Sequence, residues 1–95
     1  MEQAALHFWA EVGPQAGKYT VAIDYDSGHQ LGRLLFKSTI TADGMETWLP
    51  MVKALYNSLK DQGYMPVYVN GPPNGMGRNL TWVEEQHVLQ ALNGK

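Results

Sequence analysis

The chain has 95 residues, with seven Lys and Arg against nine Asp and Glu for a net charge of −2, and no cysteine. This length fits one domain, 1–95, with a single modest core. The lack of cysteine excludes disulfides, thiolate metal sites and a cysteine nucleophile, and the mild acidity argues against a protein that grips nucleic acid through its phosphates.

No apolar run approaches the ~20 residues of a membrane span, and the N-terminus has no basic region followed by an apolar one. The chain is therefore expected in the cytoplasm. The first strand is predicted from the alternation of Leu6-His7-Phe8-Trp9-Ala10-Glu11-Val12, with Leu6, Phe8, Ala10 and Val12 on one face and His7, Trp9 and Glu11 on the other. Two glycines and a proline in Gly13–Gly17 end it. A second strand, Tyr19 to Asp26, turns Tyr19, Val21, Ile23 and Tyr25 one way and Thr20, Ala22, Asp24 and Asp26 the other. After a turn at 27–32, a third strand, Arg33 to Ile40, points Leu34, Phe36 and Ile40 inward and Arg33, Leu35, Lys37 and Thr39 outward. Connections of five or six residues make an antiparallel meander.

Met45, Trp48, Leu49, Val52, Leu55, Tyr56 and Leu59 then recur at helical spacing, and Gly63 supplies the stop. Pro50 is tolerated only in a first turn, so the expected helix runs from about 48 to 62 with Thr47 as its cap, after an irregular turn at 42–46; the alternative, an earlier start capped by Thr41 or Asp43, requires a kink near Pro50. Tyr64 to Val69 is a fourth strand, placed at an edge or at its own start by Pro66. Residues 70–79 form a Gly/Pro loop, and Thr81 with Glu84 opens a last helix through a capping box, running to Leu92. The predicted fold is α+β, β-β-β-α-β-α, with both helices on one face of the sheet.

If the helices cover Phe8, Val21, Ile23, Leu34, Phe36, Val67 and Val69, the opposite face carries His7, Trp9, Glu11, Ala22, Asp24, Arg33, Leu35, Lys37 and Tyr68. Aromatic residues and arginine among mixed charges are the composition of interface hot spots.

Val67 to Asn79 resembles the strand and Gly-Pro-Pro phosphate loop of AAA-type ATPases. It departs from that pattern at three positions: the second glycine falls on Met76, the lysine on Arg78 and the Ser/Thr on Asn79. What remains is a set of glycine-freed amides leading to a helix N-terminus, an arrangement able to meet an anion. The order of elements over residues 6–90 resembles the first half of the ribonuclease-H-like fold, whose fourth strand runs parallel to the first. That resemblance implies carboxylates at Glu11, Glu46 and residue 70 holding magnesium. Residue 70 is Asn, which removes a full charge from such a site. In size and acidity the chain is also similar to small phage and mobile-element inhibitors such as anti-CRISPR proteins.

No two histidines lie at ligand spacing, and Asp24 with Asp26 sits at a hairpin end, so neither a metal nor a cofactor is expected. The function these features imply is non-enzymatic: a binding module that occupies a protein or protein–nucleic-acid partner through Trp9, Glu11, Asp24, Asp26, Arg33, Leu35, Tyr68, Asn70 and Arg78. A ribonuclease-H-like metal-dependent nuclease or nucleotide-handling enzyme and a homodimeric structural domain are the alternatives.

Overall fold

A computed structural model describes residues 3–25, 36–73 and 75–93. The elements are β1 (Gln3–Ala10), a 3-10 turn (Gly13–Gln15), β2 (Lys18–Tyr25), β3 (Phe36–Asp43), α1 (Met45–Asp61), β4 (Met65–Asn70) and α2 (Trp82–Leu92). The sheet order is β3-β2-β1-β4, with β1–β2 and β2–β3 antiparallel and β4 parallel to β1. The α+β class read from the periodicities is the class observed. Leu34 and the expected strand start at Arg33 lie outside the described residues.

The core forms where β1 and β2 alternate in phase. Ala4, Leu6, Phe8 and Ala10 are buried on the helix face beside Val21 and Ile23. Against them α1 presents Trp48, Val52 and Leu59, and α2 adds Val88. Trp48 stacks on Tyr19 with ring centroids 5.2 Å apart and meets Phe8 edge-on at 5.8 Å. Burying these rings is a large part of what holds helices to sheet. Val12, expected inward, lies beyond the end of β1 and is exposed.

Two expectations are corrected. The register Ala4↔Pro66, Leu6↔Tyr68, Phe8↔Asn70 places Pro66, Tyr68 and Asn70 on the helix face and Val67 and Val69 on the outer one. Both phases of this short strand are apolar, so the pattern alone could not choose; Tyr68 is drawn inward by stacking on Phe8 at 5.0 Å. α1 begins at Met45, not 48, because Gly44, at φ +78°, turns the end of β3 straight into the helix. Pro50 therefore lies inside the helix, where Glu46 loses the amide that would bond its carbonyl. Both residues are exposed, which sets that carbonyl on the solvent side of the helix.

Pro66 fits the edge position of β4. Gly71 N–H donates to Phe8 O at 2.8 Å, so the odd-numbered residues of β4 aim their amides at β1 and the even-numbered ones at the open edge. Pro66 stands where no ladder donor is required.

Candidate functional site

Once β4 ends, the chain leaves β1 and returns to it. Arg78 pairs with Ala10 through two backbone bonds of 2.9 Å, so the 71–80 loop continues the sheet edge that β4 began. Asn70 ties the neck of this loop: its Oδ1 accepts Leu80 N–H at 2.8 Å and its Nδ2 donates to Leu80 O at 3.2 Å. Gly77, at φ +97°, lies against Trp9, where an added Cβ would come within 2.5 Å of the indole Cδ1. Only glycine can make that approach.

Under this loop is a hydrogen-bonded row on the face opposite the helices. Trp9 Nε1 donates to Glu11 Oε2 at 2.9 Å, and the same oxygen accepts the Thr20 hydroxyl. Since the Thr20 proton is spent on Glu11, Thr41 donates to Thr20 across 2.9 Å. Thr20, Ala22, His7 and Asp24 are all buried on this face. His7 and Asp24 are diagonal neighbours across β1 and β2. Burial lowers the His7 pKa from its ordinary 6.5, and the Asp24 charge partly offsets this. The face expected to lie bare is thus closed over much of its described extent, and Trp9 is only partly accessible.

Arg78 is engaged as well. Its Nη1 and Nη2 donate to the two Glu84 oxygens at 2.9 and 3.1 Å, and Tyr19 Oη donates to Glu84 Oε2 at 2.7 Å. Glu84 also completes the capping box with Thr81, as its position predicts. The Arg78 bond first, aided by Tyr19 and the Thr81 N–H, holds the Glu84 carboxyl down to about 2. The same bond to Glu84 raises Tyr19. The α2 N-terminus therefore already carries Glu84 in its first turn, with Glu85 beside it, and an arriving anion would face both. Tyr68 turns its hydroxyl inward, where burial first and the Glu85 carboxylate second raise its pKa.

Of the residues singled out from the sequence, Trp9 and Glu11 are brought together, and Asn70 and Arg78 close the loop above them. Asp24 is buried beside His7, Tyr68 belongs to the helix face, and Asp26, Arg33 and Leu35 lie outside the described residues. Among the described residues no group of three or more His, Asp or Glu is placed to hold a metal ion, and no helix is long and apolar enough to cross a membrane.

Among the described residues, the large apolar side chains most open to solvent lie outside the binding set singled out from the sequence. Trp82 is 72% exposed, Met76 69%, Val83 59% and Val12 49%. The isolated Ala10–Arg78 bridge and the Arg78–Glu84 bonds tie the 75–80 stretch to the end of β1 and to the first turn of α2. The available signal was Trp82 at the first position after an N-cap, off the Val88–Leu92 stripe. No family model, curated protein or solved structure matches this chain.

Proposed function

We propose that the chain is a non-catalytic binding module that acts by occupancy, as an inhibitor or antitoxin does, covering part of a partner protein with the end of the molecule formed by Val12, Met76, Trp82 and Val83. The observation that carries this reading is the exposure of Trp82 and Met76 beside a loop that is itself firmly tied down. Exposed apolar clusters on a rigid support mark interaction sites, and an indole presented on a helix end loses little entropy on binding. Two of the three positions that a nuclease reading would need are otherwise employed: Glu11 holds Trp9 and Thr20, and Asn70 spends both ends of its amide on Leu80, while Glu46 stands exposed in the first turn of α1.

The test is a capture from the native host with wild-type and Trp82→Ser baits, followed by titration of the purified partner. Trp82→Ser is expected to cost about 2 kcal/mol or more, roughly 30-fold in Kd, with the fold intact by circular dichroism. Equal affinity of the two baits refutes the assignment of this surface. Sedimentation of the chain alone identifies the case in which the partner is a second copy.

A further inference from the structure

A second feature, away from the Trp82 end, lies where α1 gives way to β4. A cleft of about 330 Å³ opens there between Tyr56, Lys60, Tyr64, Met65 and Pro66. Among the described residues its walls are two phenol rings, a thioether and a proline ring, with no carboxylate. The charged group among its described lining residues is the Lys60 ammonium, 5.1 Å from the centroid of the Tyr56 ring. Among the described residues Lys60 takes part in no ion pair; the pairs present are Lys18–Asp43 and Arg78–Glu84. Lys53 lies on the same stripe of α1, seven residues before Lys60, and adds positive potential along it. Asp61 is set off about 100° round the helix.

An apolar cleft whose Lys60 ammonium forms no ion pair among the described residues complements a ligand with an aromatic ring and an anionic group. The rings take the ring and the ammonium takes the charge. The volume stands at the lower end of ligand sites, roughly 300–1,000 Å³, which suits a ligand with a single ring. We propose that this cleft is a binding site for a small aromatic carboxylate, its ring against Tyr56, Tyr64 and Pro66 and its carboxylate on Lys60. The site is independent of the partner surface at Trp82.

Phenylacetate and its neutral analogue phenylacetamide, titrated into the intact chain under heteronuclear NMR, test it. Phenylacetate is expected to shift the Lys60, Tyr64 and Met65 amides with a saturating Kd on the order of 1 mM, and phenylacetamide to bind at least about fivefold more weakly. Lys60→Met, an exposed change, should remove the difference between the two, Tyr56→Ala should weaken both, and Trp82→Ser should alter neither. Absence of saturation up to about 20 mM, equal binding of acid and amide, or shifts centred elsewhere would overturn the assignment.

Discussion

Asn70 occupies the position where the ribonuclease-H resemblance implies a carboxylate, and its own chemistry says why an amide serves this chain. It must both accept from and donate to Leu80, which a carboxylate cannot do. Asn70→Asp is expected to lose the donor and set a charge against the Leu80 carbonyl, costing about 1–3 kcal/mol by chemical denaturation. An unchanged midpoint would show that the loop neck is not held this way. Glu84 serves three masters in the same manner, since Arg78, Tyr19 and the Thr81 amide all donate to it. Legibility differs between these residues. The capping box is local in sequence and could be read directly, whereas the Tyr19 bond spans 65 positions and the Leu80 clamp depends on how a loop folds back.

Pro50 marks the element at which propensity and packing disagree. A regular start after Thr47 satisfies proline, but Met45 and Trp48 belong to the face that packs on the sheet, and Trp48 is fully buried between Phe8 and Tyr19. Burial of that indole outweighs one lost helical bond on the solvent side. Pro50→Ala should therefore restore the bond to the Glu46 carbonyl and stabilise the protein by about 1–3 kcal/mol, seen as a melting temperature raised by several degrees. A lower melting temperature would mean that proline stiffens the start of α1 more than it harms it. In β4, Pro66 left an edge or a strand start open and the sheet order places the strand at the edge, while its face is decided by Tyr68 finding Phe8.

At the scale of the whole molecule, His7 and Glu84 are groups among the described residues that tie stability to acid pH. His7 has its pKa lowered in the folded state, so the unfolded chain binds a proton more readily. Its effect is absent well above pH 6.5 and becomes destabilising as pH falls through that value. Glu84 is held down to about 2, so its contribution is complete above its ordinary 4.5 and is lost as pH falls from there toward 2. Unfolding free energy measured from pH 8 to 2 should decline in these two separate windows. Glu84→Gln should flatten the lower one and His7→Asn the upper. A single decline unaffected by either substitution would refute the assignment.

The alternation in β1 and β2, the helical face of α1 and the capping box of α2 were determined by the sequence alone, because each rests on a period or a spacing between near neighbours. The inward phase of β4 and the early start of α1 were decided only in the tertiary structure. So were the engagement of Trp9, Glu11, Asn70 and Arg78 by a loop, and the exposure of Trp82. Each of these depends on a partner far along the chain, and composition can say that a tryptophan or an arginine is present without saying whether another part of the same molecule reaches it first.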